Sequence, residues 1–234
     1  MIYYFIQTKR NKVKKIVMLT TVLLFSTTAL MAENTRAFNV GTKLSTLGLG
    51  LDISTPVNDK LSMRFNINGA SVSQTDSQDG NDFEGTLDLF TAGALLDYYP
   101  FENNFRLSTG IYYNGNGFQG NIKPSPGTDI EIDGTSYSTT DIGSLDSTLS
   151  FDTVAPYLGI GWGNDARDKG WGFTFDLGAM YHGAGTADLK ANVINQSIAN
   201  QIEADILAEE ESINNDLADF KIYPVITIGI NYTF

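Results

Sequence analysis

The chain has 234 residues, which is enough for one domain or at most two. It contains no cysteine, which excludes a disulfide-stapled scaffold and thiolate metal sites, and its mean hydropathy of −0.11 excludes a helical membrane protein. With 15 basic and 27 acidic residues it carries a formal net charge of −12, which argues against a nucleic-acid partner.

The amino-terminal segment has the three parts of a secretory signal peptide. A cluster of five basic residues precedes an apolar run over residues 16–30, and the small residue Ala32 stands before Glu33. The run is shorter than the roughly 20 residues that a spanning helix needs, which favours a signal peptide over a transmembrane anchor. We therefore predict a signal peptide over residues 1–32, which is removed, and a mature domain over residues 33–234. The mature domain has 10 basic and 27 acidic residues, a net charge of −17.

Apolar residues alternate with polar or small ones along the mature domain. Successive side chains of a strand point to opposite faces, so this alternation predicts strands with one apolar and one polar face. The apolar sets are Leu47, Leu49, Leu51 and Ile53; Leu61, Met63, Phe65 and Ile67; Phe105, Leu107, Ile111 and Tyr113; Val154, Leu158, Ile160 and Trp162; Trp171, Phe173, Phe175, Leu177 and Tyr181; and Ile222, Ile226, Ile228, Ile230, Tyr232 and Phe234.

Two places in this pattern change parity. Residues 83–99 are strand-like, but their apolar parity changes near Leu89, which predicts a β-bulge. The parity also changes between Leu44 and Leu47. Either a bulge lies there, or a tight turn joins two short strands over residues 36–45 and 47–55. The turn gives eight strands in total and is the interpretation that we favour, because bacterial barrels close with an even number.

The connections between these strands are of two kinds. Short ones span residues 56–59, 100–104 and 164–170, and long polar ones span residues 74–82, 119–146 and 183–219. Short turns on one rim and long loops on the other are typical of an outer-membrane β-barrel whose two chain ends lie on the periplasmic side. We therefore predict an all-β fold, a single antiparallel transmembrane β-barrel of about eight strands. A soluble, secreted β-sandwich is the leading alternative.

Aromatic residues are concentrated at the short-turn rim. Trp and Tyr collect where hydrocarbon meets water, so the pattern predicts a membrane girdle. Core aromatics near turns are the alternative interpretation. The predicted girdle consists of Tyr98, Tyr99, Phe101, Phe105, Trp162 and Trp171.

The two largest loops contain further predicted elements. The pair Asp133-Gly134 lies between strand-like runs and predicts a small hairpin that projects above the membrane. In the last loop, apolar residues near helical spacing are interleaved with acidic ones, which predicts an amphipathic helix over residues 197–218. The sequence leaves open whether this helix caps the barrel mouth or lies against its rim.

The chain ends on Tyr232-Thr233-Phe234, after a strand of alternating apolar residues. This ending resembles the carboxy-terminal β-signal of bacterial outer-membrane proteins, and the resemblance implies recognition by the barrel-assembly machinery. The mature domain also resembles small Gram-negative outer-membrane β-barrel proteins of the OmpA-, OmpX- and OmpW-like size class, and a porin-like family within it. Residues 48–51, 96–101, 155–159 and 223–225 carry that resemblance. It implies an outer-membrane location among lipid and lipopolysaccharide.

If the apolar parity faces lipid, the other parity faces the lumen. About eight strands enclose a lumen that side chains largely fill, and charges buried there need partners. A polar core that plugs the barrel is favoured over a gated, narrow conduit for small solutes, which include apolar ones. The predicted lumen network consists of Asp52, Arg64, Asp97, Arg106, Asp176, Tyr112, Tyr157 and His182.

The sequence offers little for catalysis. Enzymes on such barrels, among them lipid A acyltransferases and deacylases and omptin-type proteases, need a His or Ser constellation or paired acids. His182 is the one histidine, with no serine two residues later, so a hydrogen-bonded lumen residue is favoured over a general base. Residues 79–84 are oxygen-rich but contain no complete EF-hand loop, so a solvated acidic loop is favoured over a calcium site.

Taken together, the patterns predict no catalytic residue, no metal and no cofactor. The predicted role is structural or the passive transport of small solutes. Two alternatives stay open at this point. One is a lipid-modifying outer-membrane enzyme, and the other is a surface-binding or adhesion barrel that acts through its long acidic loops.

Overall fold

The computed structural model describes residues 37–78, 81–101, 103–163 and 169–234, so the predicted signal peptide over residues 1–32 lies outside the described residues. A short 3-10 turn, Gln196–Ile198, leads into the helix α1, Ala199–Leu217. The strands are β1 Asn39–Ser45, β2 Gly48–Asn58, β3 Leu61–Gln78, β4 Asn81–Tyr98, β5 Phe105–Asn114, β6 Gly117–Pro124, β7 Asp129–Ile132, β8 Thr135–Ser138, β9 Ile142–Ser150, β10 Val154–Gly163, β11 Gly170–Tyr181, β12 Thr186–Val193 and β13 Ile222–Thr233.

Within the described ranges, eight of these strands close into an antiparallel barrel, in the order β1-β2-β3-β4-β5-β10-β11-β13. The seam is the pairing of β1 with β13, in which Ser45 lies opposite Thr227. The predicted barrel is therefore confirmed. The tight turn is also present, because β1 and β2 pair up to Ser45 and Gly48 and leave only Thr46 and Leu47 between them.

The barrel exterior is apolar, and most of the side chains buried inside it are polar. Leu158 is 69% exposed and Phe173 is 80% exposed, whereas Asn66 and Asp97 of the opposite parity are buried. An apolar exterior is suited to contact with the hydrocarbon of a membrane, whereas a soluble β-sandwich has its apolar side chains inside and its polar side chains outside. Leu47 was predicted among the outward residues and is instead buried inside. It belongs to the turn between β1 and β2, where the alternation of a strand no longer applies.

Strand β4 leaves the barrel at its long-loop end. Residues 91–98 pair with β5, whereas residues 81–88 pair with β6. The pairing of β4 with β3 runs along its whole length without a register shift, so the bulge predicted near Leu89 is wrong. The change of parity marks the point near Phe90 at which the partner of β4 changes from β5 to β6. The backbone N–H of Phe90 donates to Oδ1 of Asn116.

The two longest connections fold into a distal subdomain, residues 115–153 and 182–221. In it β6 pairs with β9 and β9 pairs with β12, so much of the predicted loop over residues 119–146 is strand. The hairpin predicted at Asp133-Gly134 is β7–β8, and both turn residues have a positive φ, 46° and 76°. The predicted helix is α1, which packs against β12 and β7.

The distal subdomain has an apolar core of its own. The buried residues of this core are Ile130, Ile132, Tyr137, Ile142, Leu145, Leu189, Ile202 and Ile206.

The helix α1 ends before one residue of the predicted apolar spacing. Phe220, which continues that spacing, lies beyond the end of α1 and is exposed. Among the described residues, no helix is long and apolar enough to cross a membrane.

Candidate functional site

Charged side chains from four strands meet in the lumen. Arg64 lies on β3, Asp97 on β4, Arg106 on β5 and Asp176 on β11, each on the inward parity of its strand. Nε of Arg64 lies 2.8 Å from Oδ2 of Asp97, and its Nη1 lies 3.2 Å from Oδ2 of Asp176. Nη2 of Arg106 lies 2.7 Å from Oδ1 of Asp176. We call these four residues the lumen cluster.

The lumen cluster ties opposite walls of the barrel together. Three strands separate β3 from β11 in either direction around the barrel, and the Arg64–Asp176 ion pair joins them across the bore. The hydroxyl of Ser108 accepts from Nη2 of Arg64 at 3.2 Å and donates to Asp97. Charges taken out of water are tolerated when opposite charges and hydrogen bonds surround them. The arrangement therefore holds the barrel shut at this level.

A second ion pair lies beside the lumen cluster. Nζ of Lys43 donates to Oδ1 of Asp52 at 2.7 Å, and both side chains are largely buried. With this pair, three cations and three anions balance in the lumen among the residues that the structure describes. A cavity of about 20 Å³ remains there, lined by Asp52, Arg64 and Asn231 among others. That volume is about one water molecule, far less than a solute needs.

Aromatic and apolar side chains fill the lumen between the cluster and the long-loop rim. Tyr112 and Tyr157 meet edge to face with ring centres 5.5 Å apart, and the Tyr112 hydroxyl accepts from Nδ2 of Asn66. Beside them lies a buried layer that seals the bore with hydrophobic contacts. This apolar layer consists of Leu47, Leu95, Ala155, Met180 and Val225.

His182 lies at the long-loop mouth of the barrel, apart from the lumen cluster. Its ring centre is 4.3 Å from that of Phe151 and 5.9 Å from that of Tyr223. Burial lowers the pKa of His182, while the nearby Asp152 carboxylate acts in the opposite direction. The imidazole is therefore a packed, neutral group at neutral pH.

The aromatic residues predicted as a girdle divide into two groups. Trp162 and Trp171 are 54% and 77% exposed at the short-turn rim. Tyr98 and Phe101 are also exposed on the outside, and the rings of Phe101, Phe105 and Trp162 form a chain with centres 5.9 and 6.4 Å apart. Tyr99 departs from the prediction. It is buried and lines the lumen cavity, because it follows Tyr98 and so points to the opposite face.

The carboxy-terminal residues lie at the barrel seam. The ring of Phe234 stacks on that of Phe38 with centres 4.6 Å apart, and its backbone N–H donates to the carbonyl of Phe38. Tyr232 packs edge to face against Trp171 at 5.3 Å. The last strand therefore closes on the first through both backbone and ring contacts.

Sequence reasoning missed Lys43 and Ser108, although both lie on inward parities. Lys43 is flanked by the outward residues Thr42 and Leu44, and this alternation was the available signal. Among the residues that the structure describes, no group of three or more His, Asp or Glu is arranged to hold a metal ion. Part of the oxygen-rich stretch over residues 79–84 lies outside the described residues.

Solved structures with a similar fold come from outer-membrane proteins. The crystal structure of Acinetobacter baumannii CarO2 aligns with a TM-score of 0.56 at 21% identity, over 86% of this chain and 100% of that chain. That of Acinetobacter baumannii CarO aligns with a TM-score of 0.54 at 20% identity, over 84% and 97%. The sequence matches no protein-family model and no curated protein sequence. The fold is that of small outer-membrane β-barrels.

Proposed function

We propose that this chain is an integral outer-membrane protein whose barrel is a closed anchor and whose distal subdomain is presented at the cell surface. The observation that carries this proposal is the Arg64–Asp176 ion pair, which joins opposite walls of the bore. A barrel closed in this way serves as a structural support. With the distal subdomain at the cell surface, Phe234 and the exposed aromatic residues of the short-turn rim face the periplasm.

The distribution of charge supports a surface role for the distal subdomain. Residues 115–153 and 182–221 contain 14 acidic residues and three lysines, a net charge of −11, whereas the ion pairs of the lumen balance. This subdomain also has its own apolar core, so it presents the surface of a folded unit and not a set of unstructured loops. Its charge suits a cationic partner, since opposite potentials steer association.

The same observations give less support to two other functions. A passive conduit requires the lumen cluster and the apolar layer to separate, which breaks buried ion pairs and hydrophobic contacts together. A lipid-modifying enzyme requires a base with a partner to orient it, whereas the ring of His182 is held between Phe151 and Tyr223. Neither function explains why the distal subdomain is folded.

Conductance measurements test whether the anchor is closed. The purified protein in planar lipid bilayers should show no steady ion conductance. The double variant Arg64→Ser with Asp176→Ser removes the ion pair across the bore without changing the net charge, and it should also show no conductance, because the apolar layer still seals the bore. Steady conductance by the unmodified protein would refute the closed anchor.

Protease treatment of whole cells tests whether the distal subdomain is presented at the surface. External protease should cleave within residues 115–153 or 182–221, and protection of both segments would refute surface presentation.

Lipid A analysis separates the anchor from an enzyme. Lipid A from wild-type and deletion strains should be identical by mass spectrometry. A change in acylation that the restored gene reverses would establish a lipid-modifying enzyme in place of our proposal.

A further inference from the structure

A second cavity, which we call the mouth chamber, lies at the long-loop end of the barrel and has a volume of about 170 Å³. Leu89 of β4 and Tyr223 of β13 both line it. These strands lie on opposite sides of the barrel, with three strands between them in either direction, and both residues have the inward parity. The mouth chamber therefore extends across the bore.

The mouth chamber has a roof and a floor. Phe118 of β6 and Leu149 of β9 belong to the distal subdomain and line the chamber together with Phe151, which precedes β10. On the lumen side, Tyr223 packs against the buried apolar layer that contains Val225. The chamber is therefore a dead end, since the apolar layer and the lumen cluster lie between it and the short-turn rim.

The lining is apolar and carries no Asp, Glu, Lys or Arg among the described residues. It is formed largely by Leu and aromatic side chains, and the hydroxyl of Tyr223 already donates to the backbone carbonyl of Thr46. Two other polar groups lie in the lining. One is the amide of Asn116, whose Oδ1 already accepts from the backbone N–H of Phe90. The other is the imidazole of His182, packed between Phe151 and Tyr223. A charged ligand would lose its hydration here without gaining a partner.

The size of the chamber sets the size of its ligand. A protein cavity of about 150 Å³ lined by Leu, Ile and Phe stays dry and takes up benzene. The mouth chamber is slightly larger and also has an apolar, ring-rich lining. We propose that it binds a small uncharged molecule with a single aromatic ring, of the size of benzene or toluene. This goes beyond the proposed function, because the chamber would be occupied whatever the distal surface recognises.

Fluorine NMR with fluorobenzene as the probe tests this site on the full-length folded protein in lipid nanodiscs. Nanodiscs without protein measure partition into lipid and are subtracted. The wild-type protein should give a saturable bound signal that unlabelled toluene displaces and benzoate does not. Leu149→Trp fills the chamber from its roof and should weaken the affinity at least tenfold. Leu89→Trp, which fills the chamber from the barrel wall, should have the same effect.

Leu158→Trp is the matched control, because it makes the same change on the lipid-facing side of β10, where Leu158 is 69% exposed. It should bind fluorobenzene as the wild type does. Each variant is first checked for heat-modifiable gel mobility. Two filling variants are used so that one of them still gives a result if the other misfolds. The proposal is overturned if the wild type shows no saturable binding above the lipid background. It is also overturned if a folded filling variant binds as tightly as the control.

Discussion

The barrel lumen and the distal subdomain are built from the same chain on opposite patterns. In the barrel, apolar residues such as Phe173 face outward and the charged lumen cluster lies inside. In the distal subdomain, Ile202 and Ile206 lie inside and acidic side chains face outward. The comparison shows that the side chains buried at the level of the lumen cluster are polar and those buried in the distal core are apolar, because the surroundings of the two regions change from hydrocarbon to water.

The two regions are also stabilised by different forces. The lumen depends on ion pairs between strands, in which removal of one partner leaves a buried charge uncompensated. The distal core depends on apolar area and close packing, in which removal of atoms leaves a cavity. Substitutions in one region should therefore leave the other largely unchanged, and the following experiments use that separation.

The largest effect is expected from deletion of residues 232–234, which disrupts the closure of the barrel. The deletion removes the Phe38–Phe234 stack, the Tyr232 contacts and part of the β1–β13 seam. Unpaired strand edges have no water to bond inside a membrane, so the truncated chain should accumulate in the periplasm and be degraded. Fractionation and heat-modifiable gel mobility report the outcome. Phe234→Ala should show a milder defect, and normal insertion of the truncation would contradict our view of the seam.

Asp176→Ala should be the next most damaging change, because it breaks the lumen cluster. Arg64 and Arg106 would each lose a buried partner, at a cost of about 3–5 kcal/mol in the free energy of unfolding. Urea unfolding in lipid vesicles measures this. Asp188→Ala is the matched control, since Asp188 pairs with Lys190 at the exposed surface, where an ion pair contributes little to the free energy of unfolding. Equal effects of the two variants would show that the lumen cluster does not stabilise the barrel.

Ile202→Ala should break the distal core and spare the barrel. Ile202 is fully buried against the apolar core, and such truncations cost about 2–5 kcal/mol. External protease should then cut the distal subdomain faster while heat-modifiable mobility of the barrel stays unchanged. Leu207→Ala, on the exposed side of α1, should behave as the wild type. Loss of the barrel in Ile202→Ala would show that the two regions fold as one unit.

The smallest effect concerns pH, and we expect it in the distal subdomain. Burial, together with the hydrogen bond to Asp205, raises the pKa of Tyr137 to about 12. In the unfolded chain Tyr loses its proton near pH 10, so above that pH the unfolded state binds fewer protons and the folded state becomes less favoured. Stability should fall by up to about 2 kcal/mol between pH 10 and 12. Protease cleavage rates measure the fall, and Tyr137→Phe should abolish this pH dependence.

The sequence by itself determined the architecture, because local patterns specify it. Alternation of period two defined the barrel strands and their outward faces, and the unequal loops distinguished a short-turn rim from a long-loop rim. Asp133-Gly134 specified the β7–β8 hairpin through its left-handed backbone, and the apolar spacing specified α1. These features depend on residues close together in the chain, so a single sequence contains them.

Only the tertiary structure decided which side chains meet. Arg64 and Asp176 are 112 positions apart, and their ion pair follows from barrel closure, which places β3 opposite β11. The exchange of partners by β4 and the sheet formed by β6, β9 and β12 likewise depend on distant strands. The burial of Leu47 was hidden for a related reason. It lies at the turn between β1 and β2, where a side chain's direction is set by the packed barrel and not by alternation along the strand.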